Sequence, residues 1–180
     1  LPHLGNLYLS ITSAPPAAAF GTSLITVYVG HGSAVYAETF TLTVNSVVDP
    51  PKHFVPATQS VNSGATLVFS SANGNAISVA DPEAGSSQLQ TTLTAVGGKL
   101  TLATVANLSF SVGDGASDAV MTFTGTLSAI NAALNGLAYA PDASFGGAGS
   151  LRIQTSNSDL SDDDVIVVNV NAAPIVVGVY

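Results

Sequence analysis

Two carboxylates in one tight turn are the residues of this sequence best placed for chemistry. Asp81 and Glu83 lie two apart in ADPEAG, a turn that also contains Pro82 and Gly85. Both could point into one loop pocket, and calcium is a hard cation that takes about six to eight oxygen ligands. The alternative is a solvated turn in which Asp81 bonds its own backbone. Both interpretations stay open at this point.

Two further acidic stretches have the same ambiguity. SDDD, residues 161–164, places three carboxylates in a row. Their mutual repulsion favours either a bound cation or an exposed, solvated loop. GDGASD, residues 113–118, carries Asp114 and Asp118, but its composition is first of all typical of a turn.

Catalysis has little support in the sequence. His3, His31 and His53 lie near turns and junctions, without Asp or Glu at a fixed spacing. No GxSxG, HExxH or P-loop pattern occurs. Triads assemble in space rather than in sequence, but no candidate nucleophile and base stand out. We predict that the chain is not an enzyme.

The composition narrows the possible partners and compartments. Eleven acidic residues against three basic ones give a net charge of −8, which argues against nucleic-acid binding and is compatible with divalent cations. There is no Cys, so a disulfide or thiolate site is impossible. No apolar run reaches the roughly 18 residues of a membrane span. Only 8% of the residues are charged, and such polar, Lys-poor composition is typical of bacterial surface proteins.

Strand patterns dominate the chain and predict an all-β fold. In AETFTLTV, residues 37–44, Phe40, Leu42 and Val44 alternate with threonines, as in a half-buried strand. Similar patterns predict further strands at residues 23–29, 65–70, 76–80, 88–96, 99–103, 119–125, 150–155 and 164–170. Many short strands separated by Gly- and Asp-rich turns indicate a sandwich or barrel.

One segment has a helical period. TLSAINAALNGL, residues 126–137, spaces Leu127, Ile130, Leu134 and Leu137 three or four apart. Thr126 or Ser128 is the expected N-cap, and Gly136 the C-terminal stop. We expect one short amphipathic helix that covers the end of a β core.

An internal repeat predicts the domain organisation. PAAAFG, residues 16–21, matches PDASFG, residues 141–146, and a shift of 126 places FTLTVN (40–45) on IVVNVN (166–171) with the same core parity. Each copy is followed by a Pro-bearing junction. We therefore expect residues 1–48 to be the final part of one module, residues 49–172 a complete module, and residues 173–180 a hinge and the first strand of a third.

The complete module resembles a known family. SSANGNAISVAD, MTFTGTLSAINAALNGLAYAP and NSVVDPP are similar to motifs of the cadherin-like, immunoglobulin-like tandem repeats of giant bacterial surface adhesins. The resemblance covers residues 55–176 and, as a truncated copy, residues 16–51. It implies tandem β-sandwich modules, an extracellular location at the bacterial cell surface, adhesion or matrix building, and calcium as cofactor near module junctions.

The family's acidic positions can be carried over one at a time. The resemblance implies metal ligands at Asp49, Asp81, Glu83, Asp114, Asp118, Asp162 and Asp164. Two departures weaken the match. Val61-Asn62-Ser63-Gly64 lacks the carboxylate with which the family opens its first strand, and His31 replaces the usual Asp of a turn.

The incomplete modules suggest how chains assemble. Residues 1–48 supply only about four strands, too few for a sandwich of about seven, and PIVVGVY is a strand without a domain. By strand addition, Pro174, Ile175, Val176, Val177, Val179 and Tyr180 would complete the first module of another copy. Such a head-to-tail contact builds an open filament.

The functional prediction is an extracellular structural or adhesive repeat, with strand-donated filaments as its sharper form. The alternatives are a calcium-stiffened spacer cut from a giant adhesin, and a carbohydrate- or ice-binding surface module. The expected partners are further copies or neighbouring repeats and a cell-surface or matrix ligand.

Overall fold

The computed structural model describes residues 20–31, 34–45 and 48–172. These residues belong to two compact units, which divide between Val47 and Val48. We describe each unit by itself. Residues 173–180, with the predicted donor strand, lie outside the described part of the chain.

The first unit contains a long β-hairpin, β1 (Gly21–His31) and β2 (Ala34–Val44). The strands pair antiparallel from Gly21 opposite Val44 to His31 opposite Ala34. The sequence predicted strands at residues 23–29 and 37–44, where alternating β-branched residues pack well on a pleated surface. Its large apolar side chains stay accessible; Phe40, for example, is 44% exposed.

The second unit is an all-β sandwich with one helix, as the sequence predicted. Its largest sheet has six strands in the order β4, β13, β12, β7, β10, β9. A three-stranded sheet, β5-β11-β8, and a two-stranded sheet, β3-β6, complete the fold. The strand bounds are β3 (Lys52–Phe54), β4 (Gln59–Asn62), β5 (Leu67–Phe69), β6 (Ser78–Ala80), β7 (Gln88–Val96), β8 (Gly98–Thr101), β9 (Ser109–Val112), β10 (Val120–Thr126), β11 (Leu137–Pro141), β12 (Gly147–Ser156) and β13 (Ser161–Asn171).

The helix α1 (Leu127–Leu134) is shorter than the predicted segment. Thr126 is its N-cap and accepts a hydrogen bond from the Ala129 N–H. The chain leaves the helix through Gly136, which has a φ of +120°, so Leu137 opens β11 instead of extending the helix. The predicted helical spacing was therefore correct up to Leu134. No helix among the described residues is long and apolar enough to cross a membrane.

One apolar core joins the sheets and the helix of the second unit. Every second residue of the long strands faces this core, for example Leu89, Leu93 and Ala95 of β7. Phe69, Tyr139 and the helical Ile130 pack into the same cluster. Because a strand changes face at each residue, this alternation also decides which polar side chains point inward at the strand ends.

The hairpins of the two units share one register. β12 pairs with β13 from Gly147 opposite Val170, and β1 pairs with β2 from Gly21 opposite Val44. A shift of 126 residues converts one pairing into the other. Under this shift the buried Ile166 and Val168 of β13 correspond to Phe40 and Leu42 of β2, which are 44% and 36% exposed.

Candidate functional site

The turn that carries Asp81 and Glu83 follows β6, and some of its carboxylate oxygens are buried. Asp81 is only 5% exposed. Its Oδ1 accepts a hydrogen bond from the Glu83 N–H at 3.0 Å, which is the local Asx-type bond that the sequence offered as the alternative to a cation. Its Oδ2 and the Glu83 Oε2 are buried without a hydrogen-bond partner among the described residues.

A cleft of about 270 Å³ adjoins these two carboxylates. Its polar lining comes from Asp81, Glu83, Ser87, Gln88, Asn157 and Ser158. Buried carboxylate oxygens without partners are costly in a folded protein, and both residues that carry these oxygens line the cleft. The donor set is all oxygen apart from amide nitrogens, which suits a hard cation such as calcium.

Asp49 reaches the same region through its backbone. The Asn157 side-chain amide donates to the Asp49 carbonyl at 2.9 Å, and Asn157 lines the cleft. This bond ties the segment before β3 to the loop between β12 and β13. Asp49, predicted as a ligand by resemblance, is thus a neighbour of the cleft.

Asp114 and Asp118 serve the geometry of their own turn. Asp118 Oδ2 accepts from the N–H groups of Asp114 at 3.0 Å and Gly115 at 2.9 Å. Asp114 Oδ1 accepts from the Ala116 N–H at 3.0 Å. These bonds fix the loop between β9 and β10, in which Gly113 and Gly115 have positive φ.

The three aspartates of SDDD divide between the two faces of β13. Asp163 points away from the core and hydrogen bonds Arg152 of β12, with Nε–Oδ1 at 2.8 Å. This hydrogen bond, together with the nearby positive charge, lowers the pKa of Asp163 and raises that of Arg152. Asp162 and Asp164 lie on the other face, in line with the buried Ile166.

His53 is the functional candidate that the sequence analysis missed. It is the middle residue of β3, its side chain is fully buried, and its Nδ1 lies 3.5 Å from Asp162 Oδ2 and 3.4 Å from Asp164 Oδ2. Its backbone N–H donates to Asp162 Oδ2 at 2.7 Å. The sequence did contain one indication of the site, because the alternation of β13 places Asp162 and Asp164 on the same face as its core residues. Nothing in the sequence pointed to His53 as their neighbour.

The seven predicted ligands therefore do not converge on one centre. Asp81 and Glu83 share the cleft with Asp49 nearby, Asp162 and Asp164 meet His53, and Asp114 and Asp118 build a turn. Among the described residues, His53, Asp162 and Asp164 are the cluster whose ligand atoms all lie within 4.8 Å of one another.

Comparison with known proteins gives structural neighbours alone. No protein-family model and no curated protein matches the chain. The C-terminal domain of the AgI/II polypeptide BspA of Streptococcus agalactiae is 13% identical, with a TM-score of 0.42 over 69% of this chain. This chain spans 51% of that domain's length.

Two other solved structures are similar at a comparable level. AggA, the major subunit of aggregative adherence fimbriae type I of Escherichia coli, is 14% identical, with a TM-score of 0.34 over 72% of this chain and 100% of AggA. The endo-fucoidan hydrolase MfFcnA4 of glycoside hydrolase family 107 is 16% identical, with a TM-score of 0.28 over 94% of this chain and 23% of the hydrolase. These are distant likenesses.

Proposed function

We propose that this chain is an extracellular structural and adhesive β-sandwich repeat of the bacterial cell surface. The observation that carries the proposal is the identical register of the β1–β2 and β12–β13 hairpins at a spacing of 126 residues. Repeats of one supersecondary unit are typical of proteins built as arrays. The charge-poor, Cys-free composition and the resemblance to adhesin repeats support the surface location.

The location has a direct test. An antibody raised against the purified chain should label intact, unpermeabilised cells of the source bacterium in immunogold electron microscopy. Labelling that requires permeabilised cells would contradict the proposal. The same micrographs would distinguish filaments from an array within one long protein.

Assembly by strand donation is the finer part of the proposal. The face of β1–β2 that carries Phe40 and Leu42 corresponds to a buried face of the second unit, which supports its being covered by further sequence. The donor would be the segment from Pro174 to Tyr180 of another copy. Exposed apolar faces and strand edges are natural sites for strand addition.

A deletion tests donation. The chain without residues 174–180 should be monomeric in light scattering, whereas the full chain should form concentration-dependent polymers. Polymers of undiminished length from the truncated chain would rule out donation. The array function would survive that result, because neighbouring repeats in one chain need no donor from another.

Calcium at the Asp81 cleft is a second part of the proposal. Two buried oxygens, on Asp81 and Glu83, support it, because neither has a hydrogen-bond partner in the part of the chain that the structure describes. Calcium should raise the melting temperature of the full chain, and Asp81→Asn should abolish the rise. Asp114→Asn is the matched control, since it removes the same charge from a turn, and it should leave the calcium effect intact. A melting temperature that chelator leaves unmoved in the unsubstituted chain would contradict calcium binding.

A further inference from the structure

The first residues of β13 include two carboxylates at inward-facing positions, whereas the remaining inward-facing positions of the strand carry aliphatic side chains. Asp162 and Asp164 share a face with Ile166, Val168 and Val170. Their side chains are 33% and 39% exposed, so they lie at the margin of the core, within reach of solvent. Facing them across the gap between sheets is His53 of β3.

The buried side chain of His53 distinguishes this cluster from an ordinary acidic patch. Its side chain is fully buried, yet neither ring nitrogen has a hydrogen-bond partner among the described residues. A buried imidazole normally satisfies at least one nitrogen. Here Nδ1 is aimed between the two carboxylate oxygens.

The distances in this cluster are longer than ordinary hydrogen bonds and close to the spacing of metal ligands. Separations of 3.4 and 3.5 Å from His53 Nδ1 to the carboxylate oxygens exceed the range of about 2.7–3.2 Å for an N–H···O bond. Around a tetrahedral Zn²⁺ with bonds of about 2.0–2.1 Å, adjacent ligand atoms lie about 3.3–3.4 Å apart. The two separations from His53 match this spacing, and all three ligand atoms lie within 4.8 Å of one another, which suits an ion between the three groups.

The surroundings also orient the ligands. Asp162 Oδ2 accepts the His53 N–H at 2.7 Å, and its Oδ1 accepts the Asp163 N–H at 3.0 Å. Hydrogen bonds of this kind hold a ligating carboxylate in place. The exposed side of Asp162 and Asp164 leaves room for a water or another ligand at the remaining position.

We propose that His53, Asp162 and Asp164 form a site for a divalent transition-metal ion of the zinc type. Calcium takes oxygen ligands, whereas imidazole suits zinc and its neighbours in the first transition row. This site is separate from the Asp81 cleft. It would link β3, the first strand of the second unit, to β13, its last strand.

Zinc binding to the full chain is the first test. Isothermal titration with Zn²⁺ in excess calcium should give a site that His53→Gln and Asp164→Asn each weaken at least tenfold. Asp163→Asn is the matched control, because it removes the same charge from the adjacent residue on the opposite face. Equal weakening by Asp163→Asn, or full affinity in His53→Gln, would overturn the proposal.

A measurement on the unsubstituted chain covers the case in which these variants do not fold. The chain has three histidines, so their ring-nitrogen signals can be assigned by NMR. Zn²⁺ should shift the Nδ1 resonance of His53 at one equivalent. A His53 ring that titrates only with pH and ignores Zn²⁺ would show a plain imidazolium–carboxylate pair and overturn the site.

Separate substitutions test the two metal proposals independently. Asp81→Asn should remove the calcium effect and leave zinc binding unchanged, and His53→Gln should do the reverse. Loss of both by either substitution would contradict two independent sites.

Discussion

At the scale of single residues, the buried Tyr139 has a hydrogen-bond partner for its hydroxyl. It is fully buried on β11, and its hydroxyl donates to the Val96 carbonyl at 2.8 Å. Gly149 makes room for this bond, since a Cβ there would lie 2.6 Å from the hydroxyl. Burial, and secondarily Asp142, raises the pKa of Tyr139.

Tyr139→Phe should therefore lower the free energy of unfolding by about 0.5–1.5 kcal/mol at neutral pH, because the hydrogen bond to the Val96 carbonyl is lost. The raised pKa has its own consequence. Stability from the neutral phenol is fully present below the unfolded pKa of about 10 and is lost as pH rises through the folded value. Tyr139→Phe should therefore lack the part of the loss in unfolding free energy at alkaline pH that ionisation of Tyr139 causes.

Denaturant unfolding across neutral to alkaline pH measures both effects. Tyr36→Phe is the control, since Tyr36 is 73% exposed and should change neither quantity. An unfolding free energy that Tyr139→Phe leaves unaltered would refute the role of the hydroxyl.

The Asp118 turn supports a second prediction at this scale. Asp118→Ala should lower the free energy of unfolding by about 1–2 kcal/mol, because two backbone N–H groups lose their acceptor. The loss should be equal in calcium and in chelator, since the carboxylate serves the turn. Thermal unfolding under both conditions measures it. A loss seen in calcium alone would instead make Asp118 a ligand.

At the scale of elements, Asn131 fastens the helix α1 to β6. Its Oδ1 accepts the Val79 N–H and its Nδ2 donates to the Val79 carbonyl, both at 2.8 Å. The side chain thus completes both backbone groups of a strand residue from a helix. This contact fixes the helix over the end of the core, where the sequence had predicted a covering role.

Asn131→Ala should lower the free energy of unfolding by about 2–4 kcal/mol, because both Val79 groups lose their partner at once. Ser128→Ala, at an exposed position of the same helix, should change it by less than about 0.5 kcal/mol. Chemical denaturation of the two variants gives the comparison. Similar values for both would mean that the Asn131 bridge contributes nothing.

At the scale of the whole molecule, the second unit contains its own core. The buried cluster runs from Val61 to Val170, and the partly buried Val55 packs against it, so all of it falls within residues 49–172. The hairpin β1–β2 has no comparable core among the described residues, and a two-stranded hairpin is marginal by itself.

Residues 49–172 expressed alone should therefore unfold cooperatively, with a melting temperature within a few degrees of the second unit in the full chain. Residues 1–48 alone should show no cooperative transition. Differential scanning calorimetry of both fragments tests this organisation. A non-cooperative 49–172 fragment would refute the predicted module boundaries.

The sequence by itself determined the all-β class and most strands, because these depend on local periodicity and turn chemistry, and it narrowed the helix N-cap to Thr126 or Ser128. QLQTTLTAV matches β7 residue for residue, and Thr126 caps α1. The strands β3, β4, β9 and β11 were not predicted, since runs of three to five residues carry little periodicity. Leu137 was assigned to the helix because its spacing fits, but Gly136 turns the chain first.

Only the tertiary structure decided which acidic residues act together. Asp162 and Asp164 are two residues apart in the sequence, but their neighbour His53 lies 109 residues before Asp162. β3 pairs with β6 and not with β13, so packing of the two-stranded sheet beside β13 brings His53 to the two aspartates, and no local pattern encodes such a contact. The same is true of the Asp81 cleft, where Asn157 and Asp49 approach from distant segments. The type of a residue and the face of the strand on which it lies follow from the local sequence. A site depends on how distant segments of the chain pack together.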